Sequence, residues 1–136
     1  MDNTDEMCLT MLTQAEKTLL DAKEIMNRGG KPKFVVKRTY YSMIYGVLSL
    51  LANDGIELES SDHSNLIALF REKYIVQGKT DLQLYELLQN VFYISERSDA
   101  IENVDSYLLG PNLAGSILSG GAHFLDFVRS NLETHH

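Results

Sequence analysis

A single cysteine, Cys8, stands among 136 residues, so no disulfide can close within the chain. That usage predicts a cytoplasmic protein in which Cys8 is a small core residue. Only two prolines occur, Pro32 and Pro111, and both fall at expected element boundaries. The pairs Gly29-Gly30 and Gly120-Gly121 lack the spacing of a phosphate-cradling or dinucleotide-binding loop. No Cys–Cys or His–Cys cluster is spaced for zinc. The four histidines, His63, His123, His135 and His136, include no Glu-x-x-His, which argues against a di-iron bundle. Ser119 has glycines beside it but no strand before it, so it is not a nucleophile elbow. No metal and no cofactor is therefore expected. No apolar run approaches the roughly 20 residues of a membrane span. The opening MDNTDEM is acidic and lacks the plan of a signal peptide, so no membrane partner is expected either.

What is present is ordinary globular composition, with 44% apolar and 23% charged residues. The length suits one domain over residues 1–136. Net charge is −7, which weighs against broad nucleic-acid binding through phosphate neutralisation. The charge is uneven, however. The window RGGKPKFVVKR, residues 28–38, holds Arg28, Lys31, Lys33, Lys37 and Arg38 and no acid. Lys31, Lys33, Lys37 and Arg38 are accordingly candidate RNA or anion contacts. The plainer alternative is a solvated loop and helix start.

Apolar periodicity predicts five helices, the third short, and no strands. Residues 5–28 carry one stripe: Cys8, Leu12, Ala15, Leu19, Ala22 and Met26. Residues 33–53 carry two, Phe34-Tyr41-Ile44-Leu48-Leu51 and Val36-Tyr40-Met43-Val47-Leu50. Only Arg38, Ser42, Ser49 and Asn53 remain as a polar strip. A helix apolar around most of its girth is central in a bundle, or meets a partner chain on its second side. Ser60, Ser61 and Asp62 are candidate caps for the third helix. The fourth has Leu84, Leu87, Val91 and Ile94 on one face and Glu86, Asn90, Tyr93 and Arg97 on another. Residues 98–110 are expected as a loop. The fifth helix is expected from Pro111, with close packing or a kink at its glycines. The expected architecture is an all-α, up-down four-helix bundle with an additional short helix.

Arg97 stands among four carboxylates, Glu96, Asp99, Glu102 and Asp105. Read as the end of the fourth helix, it would complement the helix dipole. Its guanidinium also suits a phosphate group. His63, just before the third helix, is expected to be bonded within the fold. The alternative is a ligand contact near free backbone N–H groups.

The stretch KRTYYSMIYG resembles the HEPN family of small helical-bundle proteins, in its stand-alone prokaryotic branch. Arg38, Tyr40, Tyr41, Met43 and Tyr45 carry that likeness. His63, Ser64, Ile67, Phe70 and Gly78 of HSNLIALFREKYIVQG continue it, and Arg97 with Asp99 completes it. The resemblance covers roughly residues 35–105 and implies a dimeric helical bundle. It further implies a nucleotidyltransferase-type partner in a toxin–antitoxin-like pair, or binding of RNA or a nucleotide. Catalytic members are metal-independent ribonucleases with an arginine and a histidine separated by four to six intervening residues. Here the corresponding positions after Arg97 are Glu102, Asn103 and Val104, and none is histidine. Arg129 and His135 match the spacing only in a tail expected to fray. Proton transfer at a 2′-hydroxyl suits histidine near neutral pH. The expectation is therefore a non-catalytic HEPN-like homodimer that binds RNA, a nucleotide or its partner chain. One rival is an endoribonuclease using Arg97 with Glu102 or Asn103. Another is a structural homodimer or adaptor without nucleic-acid contact.

Overall fold

The computed structural model describes the backbone of residues 3–56, 62–78, 80, 82–104 and 109–133. Side chains are described over the same residues except 3–5, 99–104 and 133. Five α-helices follow one another: α1 (Asn3–Asn27), α2 (Pro32–Asn53), α3 (His63–Phe70), α4 (Leu82–Val104) and α5 (Pro111–Glu133). A π-helical turn, Arg71–Ile75, extends α3. No strand occurs among the described residues. The chain is an all-α bundle, as the periodicity predicts.

The turn from α1 to α2 is made by Gly29, whose φ of 72° belongs to the left-handed region that glycine enters without steric cost. Pro32 then opens α2 at a position where the missing N–H costs nothing. α2 is the central rod and packs on α1, α5, α4 and α3. Val35, Val36, Tyr40, Met43, Ile44, Val47, Leu50 and Leu51 are all buried in the core. They meet Leu19, Leu66, Phe70, Leu88, Phe124 and Leu125 from the other four helices. Cys8 is buried too, as expected.

Three expectations need correction. Ser42 and Ser49 of the expected polar strip face α1, not water. Both are fully buried, and their hydroxyls donate to the carbonyls of Ala15 (2.6 Å) and Cys8 (2.9 Å). Short side chains bonded to the neighbouring backbone let α1 approach α2 closely while both serine hydroxyls stay satisfied. Conversely, the expected stripe beginning Phe34-Tyr41 is divided. Ile44 and Leu51 are buried, while Phe34 and Tyr41 remain 47% and 44% exposed.

The third correction concerns residues 98–110. α4 continues to Val104 instead of ending at Arg97. Nothing between Ser98 and Leu109 is glycine or proline, and each added helical residue brings one more backbone bond. Ser98 is itself fully buried and bonds back to the Ser95 carbonyl at 3.0 Å. The period is hard to see because an inward-facing serine looks polar in sequence. Of the candidate caps of α3, Asp62 does the work, accepting from the Ser64 N–H at 3.0 Å. Ser60 and Ser61 lie outside the described residues.

The glycines of α5 behave as their size suggests. A β-carbon at Gly120 would come within 2.9 Å of Leu87, and one at Gly121 would collide with the Thr39 methyl. These are the points where α5 meets α4 and α2.

Candidate functional site

Tyr40 is all but buried on α2, and its hydroxyl lies 2.7 Å from His63 Nδ1 at the first residue of α3. Burial is the main cause that pushes the Tyr40 phenol above its usual range; nearby Glu96 and then Tyr41 add to it. The phenol therefore stays protonated. Its hydroxyl can donate to Nδ1 or accept from it, as the ring's tautomer dictates. His63 is half-buried. The sequence expectation of a histidine bonded within the fold is met by a partner 23 residues away.

Rings gather around this bond. Tyr40 lies 5.6 Å from Tyr41, 5.4 Å from His63 and 5.5 Å from Phe92 of α4, centroid to centroid. Tyr41 meets the His63 ring edge-on at 5.9 Å. Such tilted arrangements place ring edges against ring faces, the favourable sense for aromatic quadrupoles. Phe92 and Glu96 are four residues apart, so both fall on the side of α4 that approaches Tyr40.

Arg97 occupies the next position around α4. Its guanidinium stacks over Tyr93 at 3.8 Å from the ring centroid, and both residues are exposed. Because α4 runs on to Val104, Arg97 lies seven residues inside the helix. The dipole role expected of it is lost, since that effect fades within the last turn. What holds it is a cation–π contact one helical turn back. Glu102 and Asn103, its proposed partners, lie on the helical backbone near the end of α4, and their side chains are outside the described residues. His135, matched in spacing with Arg129, lies outside them as well. Arg129 binds Glu16 at 2.9 Å and Asp126 at 3.0 Å.

The basic window does not converge on this junction. Lys31 caps α2 without a side-chain bond, and Lys33 lies 5.4 Å from the Phe34 ring. Eight to ten residues separate these lysines from Tyr41, or about 12–15 Å along the helix. Arg38 is exposed and within one turn of Tyr41, so it belongs with the aromatic group. Lys37 is half-buried between them.

Two clefts open elsewhere. One, of about 560 Å³, lies between α4 and α5 and is lined by Leu84, Leu87, His123 and Phe127 among others. The other, of about 650 Å³, sits where Gly29, Gly30 and Lys31 face Gly110 and Pro111. Among the described residues no group of three or more His, Cys, Asp or Glu could hold a metal ion, and no helix is long and apolar enough to cross a membrane.

Sequence reasoning named Arg97, His63 and Arg38 but did not connect them. It noticed Tyr93 and Arg97 on one face through their spacing of four. It missed Tyr40 as the partner of His63 and Phe92 as the ring packed on Tyr40, because each contact joins different helices.

No protein-family model matches the chain. It is 29% identical over 89 residues to the Methanocaldococcus jannaschii protein named "Putative toxin MJ0142"; that alignment covers 65% of this chain and 58% of the relative. The chain thus spans less than two thirds of that relative's length. It is 24% identical over 103 residues to a Thermotoga maritima protein named "UPF0332 protein", covering 76% of each. The comparisons therefore join a small all-α protein to one relative bearing a toxin's name.

Proposed function

We propose that this chain is a HEPN-like, toxin-related binding module. It engages RNA or a nucleotide through the α2–α3–α4 junction without cleaving it, and it acts beside a nucleotidyltransferase-type partner chain. The observation that carries this reading is the exposed Tyr93–Arg97 stack on α4, the helix whose Phe92 packs on Tyr40 of the Tyr40–His63 pair. A guanidinium over an aromatic ring offers a base a stacking surface and a phosphate a fork of donors. His63 adds a half-buried imidazole ring beside Tyr40. The name of the Methanocaldococcus relative supports the toxin-like part of the reading. The absence of histidine among Glu102, Asn103 and Val104 supports the non-catalytic part.

The test uses the full chain with a labelled single-stranded RNA at low salt, in EDTA. Wild type should retard the RNA and leave its length unchanged. Arg97→Ala should weaken binding about tenfold, the order expected when one charge-assisted contact is removed. RNA shortened by wild type and intact with Arg97→Ala would replace this reading with the endoribonuclease. Absence of any binding at low salt would leave the structural adaptor.

A further inference from the structure

α4 and α5 are in contact at Gly120, where a β-carbon would come within 2.9 Å of Leu87, and the cleft of about 560 Å³ opens beside that crossing. Leu84, Leu87 and Phe127 give it an apolar lining. Gln83 on one wall and His123, Asp126 and Ser130 on the other are exposed. The α5 wall runs from His123 to Ser130, roughly 10 Å or two helical turns. With both rims in solvent, the cleft covers an occupant from one side only. A small molecule is usually enclosed over most of its surface. An open trough with an apolar floor suits one face of an amphipathic helix, whose other face stays in water.

Charge selects the kind of helix. From Thr80 onward the chain has no lysine and only two arginines, Arg97 and Arg129, against eight carboxylic side chains, so almost the whole net charge of −7 arises there. Arg129 is shared between Asp126 at 3.0 Å and Glu16 at 2.9 Å, which leaves that group net negative. Glu86 is exposed on α4, one turn on from Gln83. Such a surface repels the phosphates of RNA, and it repels the same surface on a second copy of the chain. It attracts lysine and arginine.

We propose that the α4–α5 cleft is the docking site for a basic amphipathic helix of a partner protein. Large apolar side chains of that helix enter between Leu84, Leu87 and Phe127, and the lysines or arginines flanking them meet Asp126 and Glu86. No residue lining the cleft takes part in the Tyr93–Arg97 stack or the Tyr40–His63 pair, so this site and RNA binding stand or fall separately.

Fluorescence anisotropy of the full chain with a labelled synthetic amphipathic helix of leucine and lysine, about fourteen residues long, tests it. The same helix with glutamate in place of lysine is the charge control. The lysine helix should bind at micromolar concentration and the glutamate helix should not. Asp126→Lys should weaken binding about tenfold, as the loss of a charge-assisted contact does. Glu24→Lys, an equal change of charge at an exposed position of α1, should leave it unchanged. Ser130→Trp and Gln83→Trp each add a bulky ring from an exposed position on opposite walls, and each should block binding. No binding of the lysine helix at low salt would overturn the proposal. So would equal binding of the glutamate helix, or equal weakening by Glu24→Lys, which means diffuse attraction. Binding that survives both tryptophan variants would place the helix elsewhere and overturn it too. A wild-type dimer made monomeric by Ser130→Trp would give the cleft to a second copy, and RNA retardation lost in Ser130→Trp would give it to nucleic acid; either result overturns the proposal.

Discussion

The hydroxyl of Tyr40 and Nδ1 of His63 lie 2.7 Å apart, and this bond ties the start of α3 to the middle of α2. A buried phenol with a defined partner selects one position for the start of α3 against α2. Tyr40→Phe keeps the ring against Phe92 and Tyr41 and removes only the oxygen. The net worth of one such bond is about 0.5–1.5 kcal/mol. Urea unfolding should show that loss for Tyr40→Phe. A double-mutant cycle with His63→Ala should return a coupling of similar size. Zero coupling would mean that the two side chains are neighbours without being partners.

Alkaline pH provides a second prediction. Tyr40 and Tyr74 are both raised above the ordinary tyrosine value of 10.0, chiefly by burial; for Tyr74 the hydrogen bond to Asp54 adds to it. Above pH 10 these phenols ionise in the unfolded chain and stay protonated in the folded one. The folded state then binds more protons, so unfolding becomes easier as pH rises. Stability should hold below pH 10 and fall above it, at up to about 1.4 kcal/mol per pH unit for each group. Tyr74→Phe should be less stable than wild type at pH 8, having lost its bond to Asp54, and should show a shallower alkaline decline. A parallel decline in both proteins would refute the assignment to Tyr74.

The third prediction contrasts two glycines of one helix. A β-carbon at Gly115 meets only the Met26 methyl at 3.6 Å, an ordinary contact, while one at Gly121 collides with Thr39, which is fully buried. Gly115→Ala should therefore gain about 0.5–1 kcal/mol from helix propensity. Gly121→Ala should lose about 1–3 kcal/mol through overpacking, despite the same propensity gain. Thermal melts of the two variants should move in opposite directions. Both moving upward would mean that α5 and α2 are not in close contact at this crossing.

These examples show what the sequence made legible. The spacing of Cys8, Leu12, Ala15 and Leu19 was enough to place α1, because a helix side buried against one neighbour leaves a period. α2 was harder. Ser42 and Ser49 look like solvent residues in a string of letters, yet each answers a carbonyl of α1, and only the distance between helices reveals it. Ser98 concealed the last turns of α4 in the same way. At the candidate site, the Tyr93–Arg97 pair could be found from its spacing, since both residues belong to one helix. The Tyr40–His63 pair could not, because no periodicity encodes a contact between helices.

The last prediction separates two sources of positive charge. Arg97 lies on α4 beside Glu96, which acts on Tyr40, whereas Lys31 and Lys33 lie at the start of α2, about 12–15 Å along the helix from Tyr41. If RNA binds at the junction, each phosphate contact there steepens the dependence of log binding constant on log salt by about 0.7 for single strands. Arg97→Ala should reduce the slope by about that amount at every RNA length. Lys31→Glu and Lys33→Glu together should leave short oligonucleotides nearly unaffected, because these cannot span the separation. With longer strands the double variant should lower the slope further, since the backbone can then reach both regions. An equal effect of the double variant on the shortest RNA that binds would move the site from the aromatic junction to the beginning of α2.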